Sequence, residues 1–477
     1  MHWRVTLEAI DPTGDGYQKE FMFEKCLDQL SEGHVGCSVE HGKMIMAEIQ
    51  KIVTEREVAL QVECSRICRS CAGLLPIKDY QTRSILTVYG AVQVKYPRLM
   101  FCQKCNPSNC STFSPLASIC QDRATPELLE LSAKLGATMP YRQASDILGT
   151  FLPGHLPKRF TTLRSRALRV GKRIDDAERR RYWHEAPNSD TQGQLELPLD
   201  RDINREIVFS IDTAHIPKIK QEGGRTFEAV VGHCGRGGRG GSPGPLFSFE
   251  GTRSGEIKAI AQLALLDQDY RGSDAITVIS DGESCLKRLA KDLPQPVTHI
   301  LDWFHISMKI QPLVQLARTA PEEMVSFLDD ISRVKWRLWN GQPDRASALI
   351  NCIQTAETLR KAHNIWAMRT DKLLKKLANY ISTNRSSVVD YGTRYRAGQR
   401  IATSTAEASV NALVAKRFVK KQQMRWSRMG AHYLLKVRAA VINGDLTEKQ
   451  KYRPTHRDRN QQQPAVFTPL LPFLTAA

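Results

Sequence analysis

Ile207-Val208-Phe209-Ser210-Ile211-Asp212 is the first of three closely spaced runs rich in β-branched and aromatic residues, followed by TFEAVVGHC (226–234) and PLFSFEG (245–251). All three read as strands. SGEIKAIAQLALLDQ (254–268) then has helical spacing, AITVIS (275–280) reads as a short buried strand, and VTHILDWF (297–304) as another. Three strands, a helix, a strand, a helix and a strand predict an α/β domain in which helices pack on a mixed sheet.

Outside this block the chain changes character. Residues 1–63 read as a mixed start followed by a helix, marked by Met44, Ile45, Met46, Ile49, Ile52 and Val53. Residues 64–120 gather cysteines around RSILTVYGAVQVKYPRLM (83–100), two β-rich runs about Tyr89-Gly90 that read as a hairpin. Residues 121–180 are helical and basic. Residues 181–204 have the Pro, Asn, Gly and Gln content of a linker, which places a domain boundary there. The sheet domain spans 205–445 and includes a helical insertion, rich in Lys, Arg and Trp, from about 306 to 400. Its Trp336, Trp339 and Trp366 suit a helical core better than a wedge between DNA bases. A basic, then Gln- and Pro-rich tail closes the chain at 446–477.

Lys and Arg number 68 against 50 Asp and Glu, a formal charge of +18. That excess points to a polyanionic partner, nucleic acid or an anionic membrane. The membrane is disfavoured, because no apolar run reaches the roughly 18 residues of a span and the N-terminus lacks the layout of a signal peptide. A cytoplasmic protein is therefore expected, where clustered thiols more often bind metal than pair as disulfides. Cys68-x-x-Cys71 and Cys102-x-x-Cys105, brought together by the hairpin, predict a four-thiolate zinc site, with Cys64 and Cys110 as flanking substitutes. Scattered buried thiols are the alternative.

Three helices are expected at 126–135, 141–148 and 160–173. The third carries Arg164, Arg166, Arg169, Lys172 and Arg173, as in a helix-turn-helix whose last helix enters a major groove, or in a small bundle with solvated arginines. Gly235 to Gly241 (GRGGRGG) lacks the Lys-Ser/Thr and helix of a phosphate loop, so it reads as a loop between strands that brings Arg236 and Arg239 near DNA. Lys416, Arg417, Lys420, Lys421 and Arg425 form a further basic run.

Three carboxylates have both an ordinary and a chemical explanation. Asp212 ends its run on the face shared with Val208 and Ser210, where turn and cap residues are common. Asp281 follows AITVIS, at the strand end where open α/β sheets place ligands, or else caps the next helix. Glu407 completes Ser404-x-x-Glu407, a capping box, and borders the apolar arc of Ala406, Val410, Leu413 and Val414, with Asn411 one turn on. Spacing does not join the three.

A resemblance does. The strand ending SID-T-AH, the later ISDGE, LDWFHI about twenty residues on, and STAEASVNALVAKRF (404–418) with RWSRMGAHYLLKVRAAVINGDL (425–446) after it together resemble bacterial insertion-sequence transposases of the DDE type, most closely the ISKra-type group. Pro140-Tyr141-Arg142-Gln143-Ala144 and the cysteine pairs also resemble that group, so the likeness covers most of the chain. It implies an RNase H-like sheet with Asp212, Asp281 and Glu407 as the catalytic triad. Such a triad holds two Mg2+ or Mn2+ ions about 3.5–4 Å apart for in-line phosphoryl transfer. Asp302-Trp303-Phe304-His305 resembles the [C/D]xxH signature of some DDE groups, which makes Asp302 and His305 supporting residues, unless they are a strand end and a buried histidine. The implied partners are double-stranded DNA, as terminal inverted repeats and target, and further copies of the chain. A nuclease or resolvase on the same sheet, or an inactive DNA-binding regulator, are the rival functions.

Overall fold

The computed structural model describes residues 2–10, 16–25, 35–120, 122–153, 160–185, 206–238, 244–251, 254–270, 274–283, 287, 290–291, 293–294, 297–318, 326–356, 365–403, 408–419 and 424–451. Contacts divide the chain into two compact units, Met1–Val170 and Gly171–Lys449.

In the first unit, β1 (His2–Ile10) and β2 (Gly16–Glu24) pair as an antiparallel hairpin. Helix α1 (Val39–Ser65) comes next, its first turn closed by Ser38, whose hydroxyl accepts from the His41 amide at 3.1 Å. Strands β3 (Ile77–Thr87) and β4 (Gly90–Met100) form the hairpin expected from sequence, with β5 (Thr112–Phe113) added at its edge. Gly90 has φ +133°, which a side chain would resist at the turn. Alternation buries Val92, Val94 and Tyr96 of β4 with Ile85 against Val58 of α1.

Short helix α2 (Leu116–Ile119) leads to α3 (Pro126–Thr138), α4 (Tyr141–Phe151) and α5 (Phe160–Glu185). Gly136 lets α3 approach closely: a Cβ there would lie 3.1 Å from both Leu163 and Tyr141. Helix α5 overruns the expected linker by five residues, 181–185, because the first helix-breaking residue is Pro187. Residues 186–204 of that linker lie outside the described residues.

The second unit is a mixed α/β body. Its sheet contains β6 (Ile207–Pro217), β7 (Thr226–Arg236), β8 (Leu246–Glu250), β9 (Ile276–Ser280) and β10 (Val297–Leu301) in the order β10-β9-β6-β7-β8. Strands β6, β9 and β10 run parallel, whereas β7 and β8 are antiparallel to their neighbours. On one face Ile207, Phe209, Ile211 and Phe249 meet Ile257 and Ala261 of α6 (Ser254–Leu266). Alternation turns Val208, Ser210 and Asp212 to the other face, where a π-helix (Asn411–Val419) packs on β6, and the last long helix bonds the backbone of edge strand β8 through Asn443 and His432.

Between β10 and the π-helix come α7 (Trp303–Ala317), α8 (Phe327–Trp339), α9 (Pro343–Thr355), α10 (Ile365–Thr383) and α11 (Tyr391–Arg396). They share a core of their own, including Ile310, Leu313, Ile331, Val334 and Leu374. Trp339 packs edge-on against Trp303 at 4.8 Å and Trp366 against Phe327 at 5.2 Å, while Trp336 stays exposed. The chain continues through α12 (Arg428–Asn443) and α13 (Leu446–Lys451). Among the described residues no helix is long and apolar enough to cross a membrane.

Candidate functional site

Two groups of side chains converge on chemistry. The first is a cysteine cluster in the first unit. Beyond the end of α1 the chain doubles back: the Cys68 amide donates to the Gly73 carbonyl and the Ala72 amide to the Cys68 carbonyl, each at 2.8 Å. A second tight turn places the Asn106 amide 2.8 Å from the Cys102 carbonyl. Leu75 N–H to Arg66 and Met100 N–H to Pro76 tie the turns to the base of the β3–β4 hairpin. The four sulfurs of Cys68, Cys71, Cys102 and Cys105 then lie within 4.8 Å of one another, with Cys68–Cys105 at 3.9 Å and Cys71–Cys102 at 3.5 Å.

Those separations suit a tetrahedral ion, since bonds of about 2.3 Å to zinc put the sulfurs about 3.8 Å apart. The cluster can hold a metal ion such as zinc. Backbone N–H groups of Cys71 and Ser70 draw the Cys68 thiol down to about 6. Cys105, sharing protons first with Cys71, is pushed up to about 12. Four thiols so close resist ionising together, and a bound cation removes that resistance. Cys64 and Cys110 are exposed and stand outside the cluster.

The second group is a ledge of carboxylates along the sheet. Strands β6 and β9 are in parallel register as far as Ser210 and Ile279. Asp212 lies two residues further along β6 and Asp281 two residues further along its own segment, one past the end of β9, so the register carries both toward the same edge of the sheet. Strand β10 extends the row. Leu301 is registered with Ser280, and the Asp302 amide donates to the Ser280 carbonyl at 2.8 Å. Asp212 is not terminal as the sequence suggested, because Thr213 to Pro217 go on to pair with β7. It stands mid-strand, where β9 stops.

Each carboxylate has a distinct setting. Asp212 is buried and accepts from the Thr213 amide at 2.8 Å. Asp281 accepts from the Glu283 amide at 3.0 Å, and its carbonyl receives the Tyr380 hydroxyl at 2.9 Å. Glu283 takes the Thr213 hydroxyl at 2.9 Å, and burial, then the charge of Asp281, raises its carboxyl above the usual range. Asp302 is wholly enclosed and caps α7 through the Phe304 amide at 2.7 Å, its other oxygen receiving the Thr403 hydroxyl. Asp302 thus stands at the end of β10 and caps the helix that follows. Burial raises its carboxyl, and His305 Nε2 lies 3.9 Å away. His299, held between the hydroxyls of Ser280 (2.9 Å) and Ser387 (2.7 Å), is lowered by burial to about 4.

Glu407 lies outside the described residues, which resume at Ala408. From there to Val419 the chain is helical, with the rare π form over Asn411–Val419. The Arg438 guanidinium donates to the carbonyls of Leu413, at 2.6 Å, and Ala412. Asn411 is exposed. Ser409 Oγ lies 2.5 Å from Nε2 of His233, a buried β7 residue paired across the sheet with Ser210. Sequence reasoning missed His233, Glu283 and Tyr380. Only strand register and the folding back of α10 bring them to the ledge.

The basic candidates divide by exposure. Arg164, Arg169 and Lys172 of α5 are exposed, Arg169 pairing with Asp122 at 3.1 Å, while Arg173 is half-buried. Arg166 is buried, which corrects its reading as a phosphate contact: α5 turns it toward the interior, where burial lowers its basicity. Arg236 is half-buried. It binds Asp274 at 2.8 Å and the Gln268 carbonyl at 2.6 Å, and it pairs with Ile207, five residues and about 17 Å along β6 from Asp212. Arg239, Lys420 and Lys421 lie outside the described residues. Lys416 and Arg425 are exposed, but Arg417 is fully buried over the Trp426 ring at 5.1 Å and so is not a surface cation.

The chain matches no known family model, and no curated protein matches it.

Proposed function

We propose that this chain is a DDE transposase of the bacterial insertion-sequence type, with an RNase H-like catalytic domain, that binds the terminal inverted repeats of its element and cleaves and joins DNA strands. The observation that supports this reading is the ledge: Asp212 on β6, Asp281 just past β9 and Asp302 just past β10 follow three neighbouring parallel strands of a mixed sheet at the same end of their registers. Hard carboxylate oxygens of Asp212 and Asp281, joined by Glu407, would hold Mg2+ or Mn2+. When bound, such ions acidify an attacking water or 3′-hydroxyl and stabilise the leaving oxygen. The chain's own part is to present these carboxylates from rigid strands and keep the Asp302 oxygens occupied internally.

The net charge of +18 supports a DNA substrate, and Arg164, Arg169, Lys172, Lys416 and Arg425 are exposed candidates for phosphate contacts among the described residues. Zinc in the cysteine cluster would be structural, since four thiolates leave no open position for a substrate. The chain would act as a homo-oligomer, because two element ends must be held together. The test is to incubate purified protein and Mg2+ with a labelled element end and a second duplex. Joining supports a transposase, cutting alone a nuclease, and binding alone an inactive regulator.

A further inference from the structure

We propose that His233 is a positioning residue that locks the helix after Glu407 onto the sheet, through Ser409, and so sets the geometry of the carboxylate site. This rests on the reading of Glu407 as a metal-binding residue. His233 Nδ1 lies 2.9 Å from the Gly244 carbonyl, which can only accept. Nδ1 therefore carries the proton, and Nε2 is left to accept the Ser409 hydroxyl at 2.5 Å. Burial disfavours the charged imidazole and keeps this arrangement.

The placement of the pair gives it leverage. His233 is opposite Ser210 in the β6–β7 ladder, on the face that carries Asp212 two residues on. Ser409 comes two residues after Glu407 in the sequence. One hydrogen bond thus ties the strand pair bearing Asp212 to the start of the helix after Glu407. Gly244 completes the device. Its φ is +80°, and a Cβ there would lie 1.8 Å from the Cys234 carbonyl, so glycine is required where the imidazole is anchored. Farther along, the bonds from Arg438 to Ala412 and Leu413 hold the same helix. A wide helical turn held from outside at two points is a preset shape rather than a propensity of its sequence.

The experiment compares His233→Gln, His233→Asn, His233→Leu and Ser409→Ala in the full chain. A Gln side chain places an acceptor near the position of Nε2 and keeps the link to Ser409. Asn reproduces only the link to Gly244, and Leu neither. The Mg2+ concentration for half-maximal cleavage should rise about tenfold in Asn, Leu and Ser409→Ala, as for other groups that orient metal ligands, and stay near wild type in Gln. DNA affinity should not change. Hydrogen exchange of amides 409–419 should accelerate in the same three variants.

Equal effects of Gln and Leu, or wild-type metal dependence and exchange in Ser409→Ala, would overturn the proposal. Ser409→Ala decides the matter should the His233 variants not fold. Absence of Mg2+-dependent cleavage in the wild-type chain would sink the transposase reading instead, and the exchange data would still decide whether His233 holds the helix.

Discussion

The cysteine cluster and the carboxylate ledge are both sets of metal-ligand side chains, but they are assembled in opposite ways. Each half of the cluster is a tight turn of four residues, Cys68 to Cys71 and Cys102 to Cys105, and one hairpin brings the halves together. The ledge takes Asp212, Asp281 and Asp302 from beyond the ends of two strand registrations that join three separate strands, with an insertion of helices before the chain returns at Ala408. The cluster is local chemistry that stabilises its own surroundings. The ledge is the product of a whole sheet and adds no stability that would hold it in place.

That contrast predicts where each region breaks. Removal of zinc should have the largest effect, because apparent binding energies of structural zinc sites are about 10–16 kcal/mol and serve as folding energy. Treatment with a strong chelator, or Cys71→Ser, should release one zinc per chain and expose the amides of β3 and β4 to exchange. Full zinc content in Cys71→Ser would move the site to other sulfurs. The ledge should behave in reverse. Asp281→Asn or Asp212→Asn should leave the thermal midpoint within a few degrees of wild type and lower cleavage by at least about 10³-fold, with DNA binding intact. Wild-type cleavage in either variant would remove that residue from the site.

The same contrast explains what could be read from the sequence. The CxxC spacing is a local pattern, and it names all four sulfurs that converge. Strand alternation likewise separates Asp212 from Ile211 and predicts an α/β domain with a mixed sheet. Register, however, is not written in any single strand. Hence Asp212 reads as a strand end although β6 runs on to Pro217, and nothing in the sequence singles out His233 although it sits opposite Ser210. Charge counts cannot distinguish a cation on the surface from one in the core. Arg166 and Arg417 look like their neighbours in sequence, yet both are enclosed.

A smaller effect should come from His299, beside the ledge. Its imidazole titrates near 6.5 when unfolded and is lowered to about 4 in the fold by burial. Between those values the unfolded chain binds the extra proton. Stability therefore rises with pH across the window and falls as pH drops from about 6.5 toward 4, by at most about 1.4 kcal/mol per pH unit from this group. Urea unfolding at several pH values should give a flatter acid limb for His299→Gln than for wild type. Identical slopes would mean that His299 is not held neutral.

The smallest expected effect separates exposed from enclosed cations on one helix. Arg164 projects from α5 into solvent, whereas Arg166, two positions on, faces the interior. If α5 lies against phosphates, Arg164→Ala should reduce the slope of log affinity against log salt by about one, the loss of one counterion-releasing contact, uniformly across DNA sequences. Arg166→Met removes an equal charge but no phosphate contact, so it should leave that slope unchanged. Its effect should instead be on the thermal midpoint, in either direction, because an apolar side chain of similar volume often replaces a buried charge without loss. Equal changes of salt slope in the two variants would show that charge count, and not the face of the helix, governs binding, and that α5 meets DNA through no defined surface.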